Sequence, residues 1–224
     1  MKLLAIASVL GLVFCQPASA DWVLVSKGSA AGRDITSTIH LKGNMARMDA
    51  GKEMSMVMDG DKGGATMILH GQKKIMVLDA AKLQAMAGMA SRLRGVGTAP
   101  VDQKLVPTGQ KEKIGEWDCE VFTWKGPMGE VKLWVAADFP NFKEIQAAQE
   151  KLSKAVSSAM AAGMPKAADI PGMVIKTESK IMGQVSTSEL VSAKEQDVPD
   201  STFDLPKDYG EMALPNIPGL GGGN

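Results

Sequence analysis

Residues Met45 to Leu78 read MARMDAGKEMSMVMDGDKGGATMILHGQKKIMVL, and the reading of this stretch decides the fold. It is a run of short apolar segments broken by glycine turns. Met54, Met56 and Met58 alternate with Ser55, Val57 and Asp59, so at strand period the three thioethers face one way. Gly43-Asn44, Gly51-Lys52 and Gly71-Gln72 are tight-turn signals, and Gly60 to Gly64 is a polar glycine loop. Short strands on such connections form an antiparallel meander. Met67-Ile68-Leu69 and Ile75-Met76-Val77-Leu78 are apolar at every position, which predicts a sheet covered on both faces there.

Working outward, Trp22 to Lys27 is a first strand, Gly28 to Gly32 a small-residue loop, and Asp34 to Lys42 an alternating strand. After Leu78, Asp79 can cap a helix from Ala80 to Arg94, ended by Gly95, with Leu83, Met86, Ala87, Ala90 and Leu93 on one stripe. Lys104 to Ile114 is extended, and Pro107 marks an edge or a bend. Glu116 to Trp124 turns through Gly126-Pro127-Met128-Gly129 into Glu130 to Ala136. Asn141, with Glu144 at the reciprocal capping position, opens a second helix with Ile145, Leu152 and Val156 on its apolar stripe, ended by Gly163 and Pro165. Met173 to Ile181 and Val185 to Ala193 form a closing hairpin. Asp197 to Asp208 carries two apolar anchors, Phe203 and Leu205. From Gly210 the Gly/Pro-rich composition predicts a disordered tail over 210–224. The fold class is α+β, as one domain over 21–209.

The first twenty residues have the pattern of a signal peptide: Lys2, an apolar run from Leu3 to Cys15, and Ala18-Ser19-Ala20 as the cleavage site. Phe14 stands where a lipoprotein signal wants a small residue before Cys15. A mature chain of 204 residues (224 less 20) is expected, exported to the periplasm. Removing Lys2 from 25 basic residues leaves 24 against 25 acidic ones, a balance that gives no basic face for nucleic acid. Cys119 alone survives processing, so no internal disulfide forms, and the core must hold the domain. In Trp117-Asp118-Cys119-Glu120-Val121 the thiol falls on the apolar side, a buried small hydrophobe; an intermolecular disulfide or reactive thiol is the alternative.

No phosphate-binding loop, His-Glu-x-x-His helix, nucleophile elbow or paired metal-spaced cysteines occur. His40 and His70 sit in strands as surface or rim residues. Neither an enzyme nor a cofactor is expected. The distinctive feature is 16 methionines against five phenylalanines. Three readings stand: a methionine-rich core; an adaptable apolar cavity lined by Met54, Met56 and Met58 with Met45, Met48, Met67 and Met76 nearby; or a soft-metal site for Cu(I) or Ag(I) on Met54, Met56 and Met58. A rigid empty pocket of about 300 Å³ would cost roughly 7 kcal/mol at about 24 cal/mol per Å³, so pliable thioethers suit a cavity that fills and empties.

The order of elements resembles the outer-membrane lipoprotein carrier and receptor superfamily (LolA/LolB-like), and within it a group of exported bacterial proteins. The residues that carry the resemblance are Trp22-Val23, Gly43-Asn44-Met45-Ala46-Arg47 and Lys73-Lys74-Ile75-Met76-Val77-Leu78-Asp79. They continue through Gly115 to Val121, Glu130 to Ala136 and Val198 to Pro206. The resemblance implies a curved antiparallel sheet, an unclosed β-barrel, with helices covering its concave face and an apolar cavity between. It also implies an acyl-chain ligand, a lid formed by the helix at Ala80 to Arg94 with Met86 and Met89 facing the cavity, and a role for Arg47 in holding that lid. The chain departs from the carriers in having methionines where they have an aromatic-rich lining. The expectation is a monomeric, non-enzymatic carrier or sensor of an apolar small molecule or lipid acyl chain. Its partners would be the envelope membrane or a lipoprotein, and periplasmic soft-metal binding is the alternative.

Overall fold

The computed structural model describes residues 20–79, 81–82, 104–126, 129–155, 165, 167–181 and 183–212. The expected signal segment up to residue 19 lies outside the described residues. So do the first helix beyond Lys82 with Met86 and Met89, the turn residues 127–128, the second helix beyond Ala155, and the tail beyond Met212.

The first meander runs through β1 (Trp22–Ala30), β2 (Arg33–Lys42), β3 (Met45–Ala50), β4 (Met54–Asp59), β5 (Gly64–Leu69) and β6 (Lys74–Leu78). The second half holds β7 (Val106–Ile114), β8 (Trp117–Gly126), β9 (Gly129–Ala136), helix α1 (Phe142–Ala155), β10 (Met173–Ile181), β11 (Gln184–Glu195) and the two-residue β12 (Gly210–Glu211). Among the described residues twelve strands form one sheet, in the order β12-β6-β5-β4-β3-β2-β1-β11-β10-β9-β8-β7. Every pairing is antiparallel except β12 with β6. The sheet is unclosed, an open half-barrel, with β7 on one edge and β12 on the other. The seam is β1 against β11, where Trp22 pairs with Glu195 and Ala30 with Ser186.

Two expectations are corrected here. Gly28 is strand, not loop: a Cβ there would run into the Thr187 carbonyl, so the glycine lets β1 and β11 approach. The chain turns only at Ala31 and Gly32, both at positive φ (51° and 75°). Gly210 and Glu211 are not a loose tail, because the Gly210 amide donates to the Lys73 carbonyl and that of Met212 to the Ile75 carbonyl.

Among the described residues one helix packs on the sheet. Its Ile145 is fully buried in the largest core cluster, with Trp22, Leu41, Ala46, Val121 and Ile175. Of the two helices expected over the sheet, this one is described, and the first lies outside the described residues beyond Lys82. Of the other, only the start is described, where the Asp79 carboxylate accepts from the Lys82 amide at 2.8 Å. That backbone bond holds the Asp79 carboxyl below its ordinary range. Pro107 lies on the edge strand β7, which is bulged between Pro107 and Lys111. Cys119 is buried, and burial pushes its thiol pKa up.

The double-faced apolar character of β5 is explained by the segment after β11, whereas Val77 of β6 is 42% exposed. Residues 196–209 run across the face of the sheet that carries Val23, Met45, Val57 and Ile68. Val198 and Phe203 are buried against that face, whereas Leu205, the other expected anchor, is 39% exposed. Polar ties fasten the strap at intervals. Lys42 Nζ donates to the Val198 carbonyl at 2.6 Å and pairs with Asp200 at 2.9 Å. The Asp21 carboxylate accepts from the Val198 amide at 3.1 Å. Arg47 Nη1 donates to the Thr202 carbonyl at 3.1 Å.

Candidate functional site

Strand register builds the site one row at a time. Across β1 to β6 the directly opposed residues are Leu24, Ile39, Met48, Met56, Met67 and Met76. Four methionines from four successive strands thus stand shoulder to shoulder. Directly opposed side chains have Cβ atoms about 5 Å apart, closer than the roughly 6.5 Å between same-face neighbours on one strand. The next row on the same face is Trp22, Leu41, Ala46, Met58, Ala65 and Leu78; all but Met58 are buried. The third row carries Met54 between Ala50 and Leu69. Met48, Met54, Met56, Met58, Met67 and Met76 are each half-buried. The face is therefore an apolar floor with a thioether surface. Met56, Met58 and Met76 also pack around the buried pair Ala65 and Leu78.

The first two residues of the row, Leu24 and Ile39, line a cavity, and none of the row's methionines is among its described lining residues. A space of about 450 Å³ lies between the sheet and α1, walled by Leu24, Ile39, Leu133 and Leu190 on strands and by Phe142 and Gln149 on the helix. It falls within the about 300–1,000 Å³ typical of ligand sites. From Leu24 to Met76 the row crosses six strands, which at about 4.8 Å per spacing is about 24 Å. One leaflet of a bilayer holds chains of about 15 Å, half of a hydrocarbon core of about 30 Å. The row is long enough for one such chain.

Met45 does not join this set, and the expectation that it shares the lining is corrected; Arg47, expected to hold a lid over the cavity, is likewise on the other face. Each is one residue out of phase with Met48 and Ala46 on β3, so each points to the strapped face. Met45 packs with Val57 and Phe203. Arg47 belongs to a polar cluster on that face. Its Nε donates to Asp49 Oδ1 at 2.9 Å and its Nη2 to Ser55 Oγ at 3.2 Å. Ser55 Oγ donates to Asp49 Oδ1 at 2.5 Å and so accepts from His70 Nε2–H at 2.7 Å. His70 Nδ1 then accepts from the Tyr209 hydroxyl at 3.1 Å. Serine, histidine and aspartate meet here, but in an order that does no nucleophilic chemistry. A serine nucleophile gives its proton to histidine, whereas this one gives it to aspartate, and Ser55 is 2% exposed. The cluster ties the strap to the sheet. His40, expected at a rim, lies 3.9 Å from Asp49 beside it, and burial lowers its pKa.

Sequence reasoning centred on the methionines and passed over Leu24, Ile39, Leu133, Phe142 and Leu190, the walls of the cavity. Ile39 alternates visibly with Leu41, but only the β1–β11 pairing brings Leu190 near it. Among the described residues no group of three or more His, Cys, Asp or Glu side chains is placed to hold a metal ion. No helix among them is long and apolar enough to cross a membrane.

Comparison with known proteins gives one family. The model of the domain of unknown function DUF4412 matches residues 27–209. A search of curated proteins finds no match. Among solved structures, PNGF-II is similar at 12% identity and a TM-score of 0.41, over 86% of this chain and 31% of that one. The chain thus spans about a third of the length of PNGF-II. The Mycobacterium tuberculosis lipoprotein LppX is similar at 11% identity and 0.41, over 79% of this chain and 88% of that one. A DUF1329 family protein from Desulfovibrio piger is similar at 10% identity and 0.35, over 84% and 91%. Likeness at this level assigns no function.

Proposed function

We propose that this chain, which belongs to the DUF4412 family, is an exported, non-enzymatic binding protein that carries or senses an apolar ligand, a lipid or acyl chain. The observation that supports it is that Leu24 and Ile39, which line the helix-covered cavity, stand in register with Met48, Met56, Met67 and Met76 on the same face of the sheet. Thioethers are unbranched and repack around varied partners, so such a floor accommodates a chain without demanding one shape. The LolA/LolB-like resemblance fits this reading. The carrier works by shielding: apolar surface of the ligand leaves water at about 25 cal/mol per Å². The test is to purify the protein from its native envelope and identify what leaves with it by native mass spectrometry and lipid extraction. Co-purifying lipid supports the reading; a clean protein that takes up neither lipid nor an apolar dye overturns it.

A second reading has its own observation. Met48, Met56, Met67 and Met76 are nearest neighbours across strands, a spacing from which thioethers can converge on Cu(I) or Ag(I). Silver titration by mass spectrometry on the protein and on Met56→Leu/Met67→Leu checks it: retained stoichiometry in the double variant excludes the methionine row as the metal site.

A further inference from the structure

We infer that the cavity under α1 selects uncharged amphiphiles, lipids with a neutral hydroxyl or ester head, over fatty carboxylates and phosphorylated lipids of the same chain length. This rests on the carrier reading and names its ligand class.

The argument is the chemistry of the walls. The described residues that line this cavity include Leu24, Ile39, Leu133 and Leu190, with Ser26, Thr177 and Ser188 hydroxyls and the Gln146 and Gln149 amides among them. No Asp, Glu, Lys, Arg or His is among the described lining residues. Other cavities of this protein differ. One of about 420 Å³ on the strapped face has Asp59, Lys62, Asp79 and Asp204 in its walls. Another of about 670 Å³ has Lys27, Asp34, Lys176 and Glu189.

Charge is thus present in neighbouring recesses of the sheet and missing from the described walls of this one. The reason lies in β10 and β11. Thr177 opposes Ser188, and Ser179 opposes Ser186, so their strands offer hydroxyls to one face while Lys176, Glu178 and Glu189 alternate to the other. A carboxylate or phosphate taken into such walls would lose its hydration with no cation among the described lining residues to replace it, whereas hydroxyls and amides replace the hydrogen bonds of a neutral head. Burial raises a carboxyl pKa by up to several units, and each unit is a factor of about ten in affinity above that pKa.

The experiment uses the full mature chain at pH 8 and displacement of the neutral dye N-phenyl-1-naphthylamine by 1-monolaurin, laurate and dodecyl phosphate. All three share one alkyl chain length and differ in charge. Monolaurin is expected to bind at least about tenfold more tightly than either anion. A Gln149→Lys variant, which sets an ammonium in the helix wall, is expected to narrow or reverse the gap for laurate. Anions that bind as well as monolaurin, or a Gln149→Lys variant that folds and leaves the ratio unchanged, overturn the selectivity and leave the carrier reading standing. Binding of none of the three, and none of the dye, overturns both.

Discussion

Replacing Ser55 with alanine tests the account of the strapped face. The residue is 2% exposed and sits at the middle of the cluster, 2.5 Å from Asp49 Oδ1, 2.7 Å from His70 Nε2 and 3.2 Å from Arg47 Nη2. Arg47 keeps its bonds to Asp49 and Thr202 in the variant, so its loss is small. Asp49 loses a charge-assisted bond worth about 1.5–3 kcal/mol, and His70 loses a neutral one worth about 1 kcal/mol. Together the cost is about 3 kcal/mol, against about 0.5 kcal/mol for an alanine at an uncoupled surface site. With an m-value of about 2 kcal/mol/M, the urea midpoint should fall by about 1.5 M. The loss should also be local in origin. His70 holds Tyr209, and Tyr209 leads into Gly210 and Met212, whose amides donate to the Lys73 and Ile75 carbonyls. Hydrogen exchange at those two amides should accelerate before that of the β3–β4 ladder. A midpoint shift under about 0.3 M, or unchanged exchange at Gly210 and Met212, refutes the claim that this cluster fastens the strap.

Three further outcomes are expected. Leu190→Trp fills the space under α1 and should weaken 1-monolaurin binding at least about tenfold while far-ultraviolet circular dichroism is unchanged; undiminished binding would move the ligand elsewhere. Burial, and secondarily Arg47, lowers the His40 pKa below 6.5 against the opposing pull of Asp49. The folded state then binds this proton less readily than the unfolded state. Its contribution to stability is present above about pH 6.5 and is lost as pH falls through that value to the depressed one. In urea titrations from pH 7.5 to 5.5 the wild type should lose more stability than His40→Gln, and the opposite sign would contradict the burial argument. Cys119, 1% exposed with a raised pKa, should resist iodoacetamide in the native protein and react in urea; prompt native alkylation would show the β8 environment to be open.

The sequence makes the β1–β6 meander legible because its signals are local. Gly43-Asn44 turns β2 into β3, and the phase of Met54, Met56 and Met58 fixes one face of β4. Gly28 misled because glycine reads as a loop, while here it permits close backbone approach to a strand more than 150 residues away. The phase of Met45 and Arg47 was readable from β3 itself, since Met45 and Met48 differ by an odd number and cannot share a face. What covers β5 was not readable. Helix and strap are both apolar enough to do it, and only tertiary pairing of Val198 and Phe203 with Val57 and Ile68 decides which face the strap takes. The cavity escaped notice for the same reason: its walls come from β1, β2, β9, β10, β11 and α1, and no short motif joins them.

The seam between β1 and β11 sets the order in which this molecule can be completed. The first strand acquires its second neighbour only once Gln184 to Glu195 exist, so an early chain holds a six-stranded ribbon with one long raw edge. Contacts of such sequence separation close slowly, which prolongs the period during which that edge can capture another chain. A nascent chain stopped before Gln184 would leave two sheets with no ladder between them. Any factor that attends the maturation of this protein would find its work at the edge of β1, where Gly28 has left the backbone without side-chain cover.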